Sequence, residues 1–299
     1  MTKLAAVSTE NLAAAAKTSE EWDSFLRQKY DPASVAEEVP KPKDAFRDYE
    51  SALTEQPKVS QFYAENHEKQ TLSFVLSQKA KYASLDKLTM GIWEAMEKLN
   101  ALVDDSDPDT SLTQIEHCLQ AAEAARRDGQ PRWMVLTCLI HDLGKVLFFL
   151  GEPQWAVVGD TFPVGCRWSD KIVYPDFFAR NLDREKERLQ TPLGIYEEHC
   201  GLDRVHMSYG HDEYLATVVK GYLPEEAVYI IRYHSFYSAH REGEYRHLMD
   251  ERDERLMEWV RKFNPYDLYS KSDDAPKIED LKPYYQELIA EYFPEKIKW

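Results

Sequence analysis

An HDxGK motif lies inside an apolar run of this chain and constrains the fold more than any other feature. The run extends from Trp133 to Leu150 and is apolar on nearly every side, as expected of a helix buried in the core. Within it, the imidazole of His141 and the carboxylate of Asp142 can bind neighbouring metal positions, and the carboxylate can bridge two ions. Gly144 permits close approach of another backbone segment, and Lys145 would bring an ammonium group near a metal-bound substrate. The motif therefore predicts a helical core that contains a metal site.

Further potential ligands occur along the chain at His117, His211, His234 and Asp267. Together with the motif they are too many for one ion and suit two. Asp142 is predicted to bridge the pair. The remaining ligands divide between a first ion, with His117, His141 and Asp267, and a second ion, with His211 and His234. The second ion keeps open positions, as a catalytic metal requires.

Imidazole and carboxylate ligands without thiolates suit iron, manganese or zinc rather than a cysteine-rich structural zinc site. For His117 and Asp267 the residues alone do not decide between a ligand and a hydrogen-bonded core residue. Asp212, in a second His-Asp pair, is interpreted as an outer-shell or helix-capping residue. The other histidines are interpreted as hydrogen-bonded structural residues: His67, His199, His206, His240 and His247.

Composition restricts the partners of the chain. The net charge is −16 with a pI near 5.1, which argues against nucleic acid or an anionic membrane surface as a partner. The four cysteines show no CxxC spacing, which is typical of reduced thiols and predicts a cytoplasmic protein. No uninterrupted apolar run reaches the roughly 18 residues of a membrane span, and the first residues do not resemble a signal peptide. No apolar stripe demands a partner subunit, so we predict a monomer.

The pattern of apolar residues predicts one all-α domain over residues 46–299, preceded by an N-terminal arm over residues 1–45 that is partly disordered. Helical spacing begins at Leu72, recurs from Met90 to Val103, and resumes around Ile115–Ala125. Strand signals are weak throughout. Residues 151–166 contain three glycines and two prolines and are predicted to form a loop. The later helical patterns are His211–Val219, Pro224–Tyr233, Asp253–Phe263 and Lys282–Phe293.

A series of longer motifs carries a family resemblance. HDLGKVL at 141–147, GEPQWAVVGDTFPVGC at 151–166 and MSYGHDEYL at 207–215 are its most specific pieces, and IRYHSFY at 231–237, FNPYDLYSK at 263–271 and LKPYYQELI at 281–289 extend it. In these motifs the chain resembles the myo-inositol oxygenase family of the HD-domain superfamily, from about Phe46 to Trp299. The resemblance implies a single HD-type helical domain with a di-metal site in its core.

The resemblance also implies chemistry. The metal pair would be a mixed-valent Fe(II)/Fe(III) centre on the six ligands named above, with O2 as co-substrate, and myo-inositol would be oxidised to D-glucuronate by a four-electron ring cleavage. Asp142 and Lys145 are the expected catalytic residues, and Lys145 would stabilise charge or relay a proton at the bound alkoxide. The implied substrate contacts are Arg47, Asp104, Lys145, Gly159, Asp160, Ser235 and Lys271.

Two alternatives remain at the level of the sequence. A metal-dependent HD-domain phosphohydrolase would share His117, His141, Asp142 and Asp267. The loop at 151–166 and the few basic residues near the motifs argue against it. A degenerate HD protein would bind a polyol without turnover, but every predicted ligand position still carries a ligand residue.

Overall fold

The computed structural model describes residue 49 and residues 56–102, 104–106, 113–269 and 277–299. Within these ranges the chain is mainly helical, which confirms the all-α prediction. The α-helices of the described ranges are α1 (Pro57–Lys69), α2 (Leu72–Tyr82), α3 (Ile92–Leu99), α4 (Gln114–Arg127), α5 (Arg132–Ile140), α6 (His211–Val219), α7 (Glu225–Tyr233), α8 (Tyr237–His240), α9 (Glu251–Tyr269) and α10 (Ile278–Ala290). Short 3₁₀ helices occupy Leu143–Leu150, Gln154–Ala156, Pro175–Arg180, Leu182–Glu185, Glu187–Gln190, Leu202–Arg204 and Arg246–Leu248. The predicted arm, residues 1–45, lies outside the described residues and stays a prediction.

Helix starts follow local sequence chemistry. The hydroxyl of Thr71 accepts a hydrogen bond from the backbone N–H of Phe74 at the start of α2. At the start of α4, Thr113 and Glu116 form a reciprocal capping box, which satisfies two of the amides that lack a partner in a first helical turn. This cap fixes where α4 begins, and thereby the position of His117 one turn later.

The core helices pack around α5. Helix α4 contacts α5 and α9, and α7 contacts α5, α6 and α9. Most of α5 is fully buried, so its apolar surface is covered on all sides. The stretch Arg132–Leu150 has the length and composition of a membrane-crossing helix, and 78% of its apolar window is buried within the protein.

The prediction of one continuous helix from Trp133 to Leu150 was wrong. Helix α5 ends at Ile140, and a 3₁₀ helix follows from Leu143. His141 and Asp142 lie at the junction, where the change of helix type turns their side chains into the core. A Cβ at Gly144 would lie 2.0 Å from the carbonyl oxygen of His211, so close backbone packing accompanies the change.

Helix α9 extends beyond its predicted end at Phe263 and continues through Pro265 to Tyr269. Proline inside a helix removes a hydrogen bond and strains the preceding turn. The helix nevertheless continues, and α9 packs against α4 and α5. The extension places Asp267 on a helix beside the core.

A two-stranded antiparallel sheet pairs β1 (Thr89–Met90) with β2 (Ile297–Lys298), close to the C-terminal residue. Trp299 follows β2 and is fully buried, and its indole N–H donates to the carbonyl of Met90 over 3.1 Å. The pairing fixes the end of the chain on the start of α3.

Candidate metal centre

The six predicted ligands come from five separate places in the chain, since His141 and Asp142 are adjacent, and they meet in one buried cluster. His117 lies on α4, His211 begins α6, and Asp267 lies near the end of α9. His141 and His234 each directly follow a helix, α5 and α7 respectively. The side chains of all six are buried: His117, His141, Asp142, His211, His234 and Asp267.

Backbone carbonyls fix the orientation of three histidines. The Nδ1 atoms of His141 and His234 lie 2.8 and 2.9 Å from the carbonyl oxygens of Cys138 and Ile231, each three residues earlier. The Nδ1 atom of His211 lies 2.8 Å from the carbonyl oxygen of Val157. Because a carbonyl only accepts, each Nδ1 carries the proton and donates it. In the neutral ring the Nε2 lone pair then faces the cluster, as in metal-binding histidines.

Asp142 lies between the two groups of histidines. Its Oδ2 is 3.6 Å from His141 Nε2 and 3.8 Å from His117 Nε2. Its Oδ1 is 3.4 Å from His211 Nε2 and 3.8 Å from His234 Nε2. One carboxylate oxygen faces each group, which is the geometry required of a bridging ligand.

Asp267 completes the first group only. Its Oδ1 lies 3.0 Å from His117 Nε2 and 3.3 Å from His141 Nε2. Burial opposes ionisation of Asp267, but its close contacts with the rings of His117 and His141 hold its pKa well below the usual range. The carboxylate is therefore ionised beside the imidazoles, as a metal ligand must be.

The donor set fits two cations. The ligand atoms of His117, His141 and Asp142 all lie within 4.8 Å of one another, and so do those of Asp142, His211 and His234. The Nε2 atoms of His211 and His234 are 3.3 Å apart. Two lone pairs directed at each other in a buried site are stabilised by a cation. These residues therefore form a candidate site for a metal pair with nitrogen and oxygen ligands.

Lys145 lies beside the bridging carboxylate. Its ammonium is 2.8 Å from Asp142 Oδ2, 2.7 Å from Asp104 Oδ2 and 3.0 Å from Gln114 Oε1. Burial disfavours the ammonium, but the charges of Asp104 and Asp142 hold the pKa of Lys145 well above its usual range. Likewise, burial opposes the ionisation of Asp142, yet the charge of Lys145 holds its pKa well below its usual range. The site thus contains a charged lysine between two ionised carboxylates.

Several of the other predicted substrate contacts lie on the segments that surround this cluster. The carboxylate of Asp104 also accepts the hydroxyl of Ser106 at 2.6 Å. Asp160 accepts a hydrogen bond from the hydroxyl of Tyr63 at 3.1 Å. Gly159 has a φ of +93°, and a Cβ there would lie 2.7 Å from the ring of Phe62. A side chain at this position would therefore be both strained and crowded.

Arg47 and Lys271, two further predicted contacts, lie outside the described residues. Ser235 is buried and directly follows His234. Its hydroxyl is 3.3 Å from the Oδ1 atom of Asp212. The structure thus brings Asp104, Lys145, Asp160 and Ser235 near elements of the ligand cluster, while the roles of these residues stay predictions.

Asp212 contacts a predicted ligand and two neighbouring segments, and its interpretation as an outer-shell or helix-capping residue stays a prediction. Its Oδ2 accepts the hydroxyl of Thr161 at 2.9 Å and the backbone N–H of Ser235 at 3.3 Å. Its Oδ1 lies 2.7 Å from His211 Nε2. Sequence reasoning did not foresee that this carboxylate would connect a predicted ligand with the loop at 151–166.

Of the histidines interpreted as structural, His67 is the clearest example. It is fully buried, stacks on Phe178 at 4.1 Å between ring centroids, and lies 2.7 Å from the carbonyl oxygen of Val173. Burial lowers its pKa to about 4. It is a neutral core residue, as expected.

Sequence reasoning missed Gln114, which contacts Lys145. The signal was available, because Gln114 lies three residues before His117 and such positions share a helix face. A lone glutamine, however, is not distinctive enough to single out.

Comparison with known proteins agrees with the geometry. The family model described as myo-inositol oxygenase matches residues 56–299. A protein named probable inositol oxygenase from Oryza sativa subsp. japonica is 50% identical over 263 residues, covering 86% of this chain and 85% of the relative. The inositol oxygenase of Dictyostelium discoideum is 45% identical over 272 residues, covering 88% and 92%, and that of Homo sapiens is 46% identical over 270 residues, covering 89% and 94%. The family model and these relatives cover most of the chain, including all six residues of the buried cluster, and the chain therefore belongs to the myo-inositol oxygenase family.

Proposed function

We propose that this protein is an inositol oxygenase, which converts myo-inositol and dioxygen to D-glucuronate and water. The observation that carries the proposal is the convergence of six buried ligand side chains in a chain 45–50% identical to proteins named inositol oxygenases. The relatives do not favour the phosphohydrolase alternative. The reaction removes four electrons from the polyol, and dioxygen accepts them.

Two iron ions are the proposed cofactor. His117, His141 and Asp267 would hold one, His211 and His234 the other, and Asp142 would bridge them. When bound, the pair would supply Lewis acidity toward substrate hydroxyls and one-electron chemistry toward dioxygen. Nitrogen and oxygen ligands of this kind suit iron, and the absence of thiolates from the cluster argues against a structural zinc site.

The residues around the cluster bind and orient the polyol. Asp104 and Asp160 offer carboxylate acceptors for hydroxyl groups, and Ser235 offers a hydroxyl. Lys145 lies 2.8 Å from the bridging carboxylate, so its ammonium can stabilise negative charge on a substrate oxygen next to the metals or return a proton to it. A site that pairs several buried hydroxyls rejects analogues that lack one of them.

Oxygen consumption tests the proposal directly. Iron-loaded protein is mixed with myo-inositol without reductant beyond that used to set the iron oxidation state, and oxygen uptake and glucuronate are measured together. We expect stoichiometric uptake and glucuronate formation that disappear after chelation. No uptake by protein that holds two irons per chain would refute the proposal, and inositol phosphates would then be the next substrates to test.

We also propose that the protein acts as a cytoplasmic monomer on this small polyol, without nucleic acid or membrane partners. The net charge of −16 and the small number of cysteines support this. Light scattering in solution tests the monomer, and fractionation of cells tests the compartment.

A further inference from the structure

Gln114 is buried beside Lys145 in the first turn of α4. Its Oε1 lies 3.0 Å from Lys145 Nζ. The amide accepts through its oxygen, because an ammonium only donates.

An ammonium has three N–H donors, and three acceptors surround Lys145. Two are the carboxylates of Asp104 and Asp142, and the third is the amide of Gln114. Removal of the amide would leave one N–H of a buried ammonium without this partner, and the long side chain of Lys145 could then rotate. Gln114 therefore fixes the direction of the ammonium beside the bridging carboxylate.

The amide nitrogen of Gln114 is not used in the contact with Lys145, because that contact is made by Oε1. Within the part of the chain that the structure describes, the side-chain hydrogen bond of this amide is the one that Oε1 accepts from Lys145, which leaves Nε2 available to a ligand. Since Oε1 is held by Lys145, the planar amide directs Nε2 from a fixed place near Lys145 and Asp104. A donor in this position matches the oxygen of a polyol hydroxyl.

Helix geometry keeps the amide close to the metal ligands. Gln114 precedes His117 by three residues, so both side chains project from one face of α4. The helix start is fixed by the Thr113–Glu116 capping box. The amide is therefore held on the same rigid element as a predicted ligand.

We propose that Gln114 is a polyol-binding residue with two roles: its Oε1 positions the Lys145 ammonium, and its Nε2 donates a hydrogen bond to a hydroxyl oxygen of the substrate. The inference rests on the proposed function, since it assigns a further contact in the same site. It adds a neutral amide, which can both donate and accept, to the carboxylates, ammonium and hydroxyl already assigned to the site.

Two variants test the proposal, one that removes both groups of the amide and one that removes only the donor. Gln114→Leu removes both the acceptor and the donor at similar volume. Gln114→Glu keeps an acceptor for Lys145 but has no N–H at neutral pH. The matched control is Gln78→Leu, which alters another buried glutamine whose Nε2 donates to Glu152 at 2.7 Å, outside the ligand cluster.

The measurement is the dissociation constant of myo-inositol by calorimetry on the metal-loaded full chain without oxygen, with bound metal counted for each sample. Loss of a hydrogen bond inside a buried site weakens binding by about tenfold or more. We expect that weakening in both Gln114 variants, with unchanged metal content, and no change in the Gln78 control.

The outcomes distinguish this inference from the function itself. If the wild-type protein neither binds nor oxidises myo-inositol, the proposed function fails. If the wild-type protein binds it and either Gln114 variant binds within about twofold, the role assigned to Gln114 is wrong. A Gln114→Leu variant that loses metal would likewise place the residue in the support of His117 instead of the polyol site.

Discussion

The chain contains two His-Asp pairs, and the structure gives their carboxylates different surroundings. Asp142 lies among four imidazoles and Lys145, with one oxygen toward each group of histidines. Asp212 is held by Thr161 and Ser235 and reaches only the histidines of the second group.

The difference arises from where each pair lies on its helix. His141 and Asp142 follow the end of α5, so the chain turns there and both side chains enter the cluster. His211 and Asp212 open α6, where the carboxylate meets the loop at 151–166 and the residues after α7. A dipeptide therefore does not determine its own role, because the surrounding backbone decides which atoms its carboxylate meets.

The largest effect should come from Asp142→Asn, which removes the charge that faces both groups of histidines. We expect turnover to fall by at least about a thousandfold and fewer than two metal ions to remain bound. Elemental analysis of folded protein and glucuronate formation measure this. Two tightly bound ions in Asp142→Asn would contradict the bridging role.

The same substitution at Asp212 compares the second His-Asp carboxylate with the first. Groups that support metal ligands typically contribute roughly 10–100-fold to metal affinity or activity, so Asp212→Asn should be clearly less severe than Asp142→Asn. The control is Asp253→Asn, another buried carboxylate in the first turn of a helix, which accepts from the hydroxyl of Tyr229 and the backbone of Leu202. Asp253→Asn should lower stability without changing the metal content of the folded protein. Equal losses at Asp142 and Asp212 would mean that the two carboxylates share one role.

Lys145→Ala should abolish turnover, because the ammonium is the group next to the bridging carboxylate and Asp104. Lys145→Met preserves most of the packing of the side chain and should be equally inactive with a melting temperature closer to wild type. Circular dichroism checks the fold and oxygen uptake checks the activity. Activity near wild type in either variant would show that the lysine is not part of the chemistry.

Gly144→Ala tests the backbone contact that joins the two pairs. The added Cβ would lie 2.0 Å from the carbonyl oxygen of His211, so we expect a loss of at least about 3 kcal/mol of unfolding free energy and reduced metal retention. Gly129→Ala is the control, since its Cβ would meet nothing within 4 Å and only its φ of +67° is unfavourable. That strain is about 1–2 kcal/mol. Denaturant unfolding of the two variants gives the comparison. Equal losses of unfolding free energy would contradict the claim that packing against His211 requires glycine at position 144.

Thr161→Val should have the smallest effect. It removes one hydroxyl donor to Asp212 at nearly constant volume, which lowers stability by about 1 kcal/mol and raises the KM for myo-inositol by a few fold at most, roughly the effect of one hydrogen bond. Thr137→Val removes a buried hydroxyl bond to the carbonyl of Trp133 within α5 and should lower stability without changing KM. A KM change in the Thr137 variant equal to that of the Thr161 variant would contradict the connection between Asp212 and the substrate loop.

Much of the helical pattern was accessible from the sequence. Apolar spacing located α2, α3, α4, α6, α7 and α10 to within a few residues, because an amphipathic helix repeats its buried face every three to four residues. The six ligand residues were also named from ligand supply and motif resemblance. Side-chain type alone did not decide between a ligand and a core residue at His117 and Asp267, and there the motif resemblance was needed.

The tertiary structure decided what depends on contacts between distant segments. It divided the run from Trp133 to Leu150 at His141, extended α9 past Pro265, and placed Gly144 against His211. Local propensity cannot anticipate these features, since each arises from packing between residues far apart in sequence. The same holds for Gln114, whose partner Lys145 is 31 residues away and becomes its neighbour only when α4 packs on the core.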